Sequence, residues 1–168
     1  MTRRWEYLST PRDDDESWLP DWRPTRYAGD EPLTWEDLPE GEIMYHRFLV
    51  DTRLVVDGCE MSAIHNPLLD FALAWVWIPH ALPDVGGRVE ADLTMQAHSY
   101  FVENLGDEVA ITSTENTHRA VLPHDDFREL VDHMVTSAFE LLYSRHPVLR
   151  GNHFLRGLRR RMRKAGYL

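Results

Sequence analysis

Residues 68–78 read Leu-Leu-Asp-Phe-Ala-Leu-Ala-Trp-Val-Trp-Ile, eleven positions that carry a single charge. A helix that is apolar all round has no face to offer water, so it belongs at the centre of a fold or in a membrane. Crossing a bilayer takes about 20 apolar residues. The run is therefore read as a buried central helix, around which the rest of the chain is built. Asn66 supplies an N-cap, Pro67 a first helical position, and Pro79 a stop. Asp70 falls in the first turn, where a carboxylate meets free amides and the positive end of the helix dipole.

The segments on either side read as sheet and helix. After Gly86-Gly87, Val89, Ala91, Leu93 and Met95 alternate with Glu90, Asp92, Thr94 and Gln96. Period two with one polar face means a half-buried antiparallel strand. Strands over 98–103, 108–113 and 118–122 follow, with turns at Gly106-Asp107 and at 114–117. Together they form a meander with an acidic solvent face. Upstream, residues 43–50 are rich in β-formers, and Leu54-Val55-Val56 leads through Asp57-Gly58 into Cys59-Glu60-Met61, a hairpin signal. Cys59 reads as a small strand hydrophobe. Two helices close the chain. Asp126 with Glu129 has capping-box spacing, and Phe127, Leu130, Val131, Met134, Val135, Ala138, Leu141 and Leu142 form an unbroken helical stripe. Pro147 stops that helix, and Asn152 caps the next.

Residues 1–42 hold five of the ten prolines and four of the six tryptophans, Trp5, Trp18, Trp22 and Trp35. Proline breaks regular structure, while tryptophan is foreign to disordered segments. An irregular Trp/Pro-rich arm, pinned to the body by its tryptophans, satisfies both. Asp13-Asp14-Asp15-Glu16 reads as a solvated loop, and Thr34 as the cap of a single turn. The expected architecture is α+β: an arm over 1–42 and one α+β domain over 43–168. In that domain an antiparallel meander packs with a buried central helix and two C-terminal helices.

Charge separates along this frame. The chain of 168 residues carries 28 acidic and 18 basic side chains, a net of −10. Residues 1–42 and 43–124 each sum to −7, and residues 125–168 to +4. All bases but Lys164 are arginine, which fits either codon bias or planar, bidentate pairing. In the last helix Arg156, Arg159, Arg160 and Arg163 align at i, i+3, i+4, i+7 on a basic face. That face could meet phosphates, a membrane surface or an acidic partner. Cations also suit a helix C-terminus, and the acidic arm is an available counter-charge. A body at −10 repels nucleic acid at long range, so no nucleic-acid partner is expected.

The chain shows little that fixes a chemistry. One cysteine excludes a disulfide framework and a Cys-based zinc module. The first residues lack the apolar core of a signal peptide, so a soluble, cytoplasmic protein is expected. No P-loop, dinucleotide fingerprint or G-x-S-x-G elbow is present, and no cofactor is called for. Nine histidines include no H-E-x-x-H or other compact ligand spacing. His98, His118, His124 and Asp125 are the candidates, because adjacent strands and a helix start could bring them together, which would give a small metal-dependent hydrolase. His124-Asp125 resembles the pair in metal-dependent phosphohydrolases, but the further ligands of that family are not placed.

One resemblance covers roughly residues 54–158. It rests on Val56-Asp57-Gly58-Cys59-Glu60-Met61, Asn66-Pro67-Leu68-Leu69-Asp70-Phe71-Ala72, Gly106-Asp107-Glu108-Val109-Ala110-Ile111-Thr112-Ser113, Asp126-Phe127-Arg128-Glu129-Leu130, and His146-Pro147-Val148-Leu149 with Asn152. This order resembles a group of small bacterial proteins, some of which look like immunity proteins encoded beside polymorphic toxins. The motifs are a hairpin, a helix start, a turn and a cap. They imply a shared fold, and no catalytic residue is carried over. The expectation is a protein-binding protein and not an enzyme: an immunity protein or inhibitor that neutralises a toxin from a neighbouring gene by occupancy. Its expected contact residues are Glu90, Asp92, Glu103, Asp107 and Glu108. The other reading is an assembly or scaffold component that docks through the Trp-rich arm or the arginine face.

Overall fold

The computed structural model describes residues 4–115 and 117–168. Residues 1–3, and Asn116 in the turn expected at 114–117, lie outside the described residues. Among the described residues two four-stranded antiparallel sheets and four α-helices make the α+β architecture.

The first sheet holds β1 (Trp5–Pro11), β2 (Leu49–Val56), β3 (Cys59–Glu60) and β4 (Ala63–Pro67). The arm therefore opens on a strand. Trp5 and Tyr7 point into the core and Glu6 and Leu8 out of it, while β1 runs antiparallel to β2 from Trp5↔Val56 to Pro11↔Val50. Beyond Pro11 the arm is irregular, as its prolines require. Asp57 and Gly58 take φ of 48° and 76°, the two left-handed conformations of a type I′ turn, and β2 pairs with β3 across them. The strand expected from residue 43 starts only at Leu49. Glu42–His46 forms one turn of π-helix in which Glu42, Ile43 and Met44 are all buried. Such consecutive burial does not follow the alternation of a half-buried strand. The Glu42 carboxylate is held there by the Tyr27 amide at 2.9 Å and faces Arg47 Nε at 3.5 Å.

The second sheet is the meander, β5 (Arg88–Asp92), β6 (Ser99–Asn104), β7 (Glu108–Ser113) and β8 (Arg119–Pro123), in sequence order. Between the sheets lies α1 (Leu68–Leu73), shorter than its apolar run. After Leu73 the backbone tightens to i→i+3 bonds, Val76 N–H to Leu73 O and Ile78 N–H to Trp75 O. Pro79 then sits in the first turn of α2 (Ile78–Ala81), where its missing amide costs nothing, so it begins a helix where a stop was expected. The Val76 carbonyl left by the break accepts the Tyr167 hydroxyl at 2.7 Å, and Trp77 is turned out to 62% exposure. Asn66 does not cap α1; it belongs to β4, and its side-chain amide bonds Thr52 Oγ1 at 3.2 Å. Asp70 is buried and accepts the Met95 amide at 3.3 Å, and burial raises its carboxyl above the ordinary value.

Aromatic rings join the layers. Phe71 lies 6.1 Å from Tyr7 of the first sheet and 5.8 Å from Tyr100 of the second, and Trp75 lies 4.8 Å from Tyr100. The Tyr100 hydroxyl donates to the Met61 carbonyl at 2.6 Å, tying the meander to the end of the first hairpin. Against this core packs α3 (His124–Arg145), whose stripe is buried from Phe127 to Tyr143. It starts three residues earlier than expected because β8 runs straight into it through Pro123. Asp126 is therefore a first-turn carboxylate and not the cap. A 3-10 turn (Pro147–Gly151) leads to α4 (His153–Lys164), with Asn152 as its N-cap accepting from Leu155 N–H at 2.9 Å.

The arm docks on this corner. Trp18, Trp22 and Leu38 belong to the same core as the sheets. Trp18 Nε1 donates to Leu49 O at 2.7 Å. The Asn152 amide donates to Trp35 O at 2.8 Å and Leu38 O at 2.9 Å. The expected solvated loop is only half right: Asp13, Asp14 and Glu16 are exposed, but Asp15 is buried, accepting from Ser17 N–H at 2.9 Å and Leu49 N–H at 2.6 Å. Among the described residues no helix is long and apolar enough to cross a membrane.

Candidate functional site

Residues directly opposed across an antiparallel pair share a face of the sheet. The register Glu90↔Phe101, Arg88↔Glu103 and Glu103↔Ala110, with Glu108↔Pro123, puts Glu90, Asp92, Glu103 and Glu108 on the outer face of the meander. Asp107 is exposed in the β6–β7 turn at its end. The five expected contact residues are thus gathered on one side of the sheet, but the surface they make is not purely acidic. Glu103 Oε2 lies 3.1 Å from Arg119 Nη2, and Glu108 Oε1 lies 4.0 Å from Arg4 Nη1. The Arg88 guanidinium stands 3.6 Å over the Phe101 ring, a cation–π contact on the same face. Period two in the sequence shows which residues share a strand's face; it does not show which arginine of another strand lies opposite.

Glu90 and Asp92 are different. Both are exposed, and among the described residues neither has a basic group within ion-pair distance. They sit on β5, which is paired with β6 alone and forms one edge of the sheet. The structure therefore narrows the candidate surface to the β5 edge.

The arginine face of α4 divides. Arg156 and Arg160 are exposed to solvent. Arg159 and Arg163 line a cleft of about 290 Å³ against α3, together with Arg150 from the preceding turn. Arg150 and Arg159 stand 4.7 and 5.9 Å over the Tyr143 ring. Burial pushes the Tyr143 phenol up, and the two guanidinium groups oppose that rise without cancelling it. The arm does not neutralise this surface. Among its described carboxylates, Glu6, Asp14, Glu16 and Glu31 pair with Arg53, Arg12, Arg47 and Arg26 within or beside the arm, and Asp37 reaches α4, 3.7 Å from His153 Nε2.

The histidine set is not assembled. His118 precedes β8 and His124 follows it, with His98 at the His118 end. Six rises of about 3.3 Å between them set His118 and His124 roughly 20 Å apart along the strand. His124 Nε2 is engaged by the Gly106 carbonyl at 2.8 Å. Among the described residues no group of three or more His, Cys, Asp or Glu side chains is placed to hold a metal ion.

A second arrangement escaped the sequence reading. His98 Nε2 lies 2.9 Å from Ser113 Oγ, and His98 Nδ1 faces Glu115 Oε2 at 3.2 Å. The connectivity is that of a nucleophile triad, but its exposure is inverted. Ser113 is 7% exposed on the core side of β7, while the Glu115 side chain is 63% exposed. A serine facing the core meets no substrate, and its Oγ already accepts the Glu115 amide at 3.1 Å. The contact is a structural clasp. Burial lowers the His98 pKa against the pull of Glu115.

Compared with models of known families, with curated proteins and with solved structures, the chain finds no match.

Proposed function

We propose that this protein works by binding another protein without catalysis, as a bacterial immunity protein or inhibitor that neutralises a toxin by occupancy in the cytoplasm. The observation that supports this most is the β5 edge. Its backbone is hydrogen-bonded on one side only, and Glu90 and Asp92 stand beside it uncompensated. An open strand edge offers main-chain donors and acceptors to an extended segment of a partner. Two unpaired carboxylates steer that edge toward a basic surface, such as the site of a toxin that acts on phosphate chemistry. The arm is less suited to docking a partner, because its tryptophans are already committed to the core.

The test is co-expression with the product of the neighbouring gene. Growth arrest by that product alone, relieved by this protein, is the expected result. Glu90→Lys with Asp92→Lys should abolish the relief, and calorimetry should show association weakening at least about tenfold between 50 and 300 mM salt. Normal growth of cells carrying the neighbouring product alone would sink the proposal.

A further inference from the structure

We propose that the cleft between α3 and α4 is a binding site for a small organic phosphate. Three guanidinium groups, from Arg150, Arg159 and Arg163, line one cavity of about 290 Å³. Arg159 is half-buried while Arg150 and Arg163 are exposed, so the three like charges repel through a medium that is part protein and part water. Yet among the described residues none of the three has a carboxylate within ion-pair distance. Glu140 is the one carboxylate side chain on the lining, Leu168 with its main-chain carboxylate borders the cleft as well, and neither pairs with any of the three at that range. Arg159 also carries a donor with no acceptor: its Nε is buried and makes no hydrogen bond. A buried, charged donor left without an acceptor is rare in folded proteins.

The chemistry of the lining selects the ligand. One carboxylate is satisfied by one guanidinium fork, whereas three forks around one cavity match a dianion with three oxygens on a single centre, which is a phosphoryl group. Thr136 adds a hydroxyl, and Phe139 and Tyr143 add apolar wall, so the volume left beside the phosphoryl group suits a small ring. A nucleic-acid chain is disfavoured, since the whole chain at −10 repels a polyanion over its length while a single dianion feels mainly the cleft. The site is built from α3, α4 and the turn between them, and it stands independently of the β5 edge.

Calorimetry of the full chain at low salt with phenyl phosphate, inorganic phosphate and phenol tests this. Phenyl phosphate should bind at one site, inorganic phosphate should compete for it more weakly, and phenol should not bind. Arg159→Gln and Arg163→Gln should each weaken phenyl phosphate at least about tenfold, the loss of a charged hydrogen-bond pair. Arg159→Lys, which keeps the charge but not the fork, should weaken it too. Arg156→Gln and Arg160→Gln remove the same charge outside the cleft and should change affinity less than about twofold. If Arg159→Gln fails to fold, Arg163→Gln, at an exposed position, carries the test. Absence of phosphate binding below about 10 mM, phenol binding as tightly as phenyl phosphate, or equal losses from the Arg156 and Arg160 variants would each overturn the proposal.

Discussion

Asn152→Ala is the most demanding test of how the arm and the C-terminal helix are joined. The Asn152 side chain is fully buried. Its Oδ1 accepts the Leu155 amide at 2.9 Å, and its Nδ2 serves the carbonyls of Trp35 at 2.8 Å, Leu38 at 2.9 Å and, more distantly, Glu36 at 3.3 Å. Loss of the cap costs about 1 kcal/mol. Each carbonyl orphaned in the interior adds about 1–3 kcal/mol, less whatever water recovers. The expected total is about 3–5 kcal/mol, a large part of the roughly 5–15 kcal/mol typical of a folded domain. Asn152→Ser keeps a capping oxygen and should recover about 1 kcal/mol of that loss. Asn152→Asp keeps the cap but turns a carboxylate oxygen toward carbonyls, so it should be no better than alanine. Urea titration followed by tryptophan fluorescence measures all three, with an unchanged m-value marking loss of stability and not of compactness. An alanine variant within about 1 kcal/mol of the parent, or an aspartate variant of parental stability, would refute the reasoning.

Tyr100→Phe removes the 2.6 Å bond to the Met61 carbonyl and should cost about 1–2 kcal/mol in the same titration, with the fold unchanged by circular dichroism. Gly157 lies inside α4, and a Cβ added there would meet nothing within 4 Å, so Gly157→Ala should stabilise by about 0.5–1 kcal/mol. Gly87→Ala should do the reverse by about 1–3 kcal/mol, since its Cβ would meet Pro83 Cγ and, at 2.9 Å, Asp84 O; a melting temperature at or above the parent's would contradict it. His98 and His146 both have pKa values pushed below 6.5, chiefly by burial. The folded state therefore binds fewer protons than the unfolded state. The stability these two rings contribute is complete above about pH 6.5 and falls as pH drops below it through the folded-state values. A His98→Gln, His146→Gln double variant should flatten the melting temperature between about pH 6.5 and 5, and an unchanged slope would exclude these groups as its source.

Much of this fold is legible because its elements have clean periods. The meander shows itself in the alternation from Val89 and in Gly106-Asp107, and α3 in its uninterrupted stripe. The run from Leu68 misleads because apolarity reports burial and not backbone conformation. A helix and a pair of tight turns bury the same residues, and only the Tyr167 hydroxyl on Val76 O, from 91 positions away, shows how the break is tolerated. Residues 43–50 have strand composition, but Glu42 needed partners, and the Tyr27 amide supplied one from outside the segment, with Arg47 facing it from within. The strand β1 was readable: Trp5 and Tyr7 alternate with Glu6 and Leu8, a period masked by the prolines that follow. Of the candidate surfaces, sequence places the charges on strands and helices. It does not show that Arg119 compensates Glu103, or that Arg150 joins Arg159 across a turn, because both depend on packing between elements.

The charges of the meander's two borders also decide how copies of this protein treat one another. β5 presents Arg88, Glu90 and Asp92, and β8 presents Arg119 and ends on Pro123. An open border of apolar residues would let one molecule's sheet extend into the next and polymerise. Here a second β5 laid antiparallel about its centre would set Glu90 against Glu90 while Arg88 met Asp92, and Pro123 withholds a hydrogen-bond donor from any neighbour at β8. The border is charged and not apolar, so it selects by sign. A strand that carries positive charge opposite both Glu90 and Asp92 is favoured over another copy.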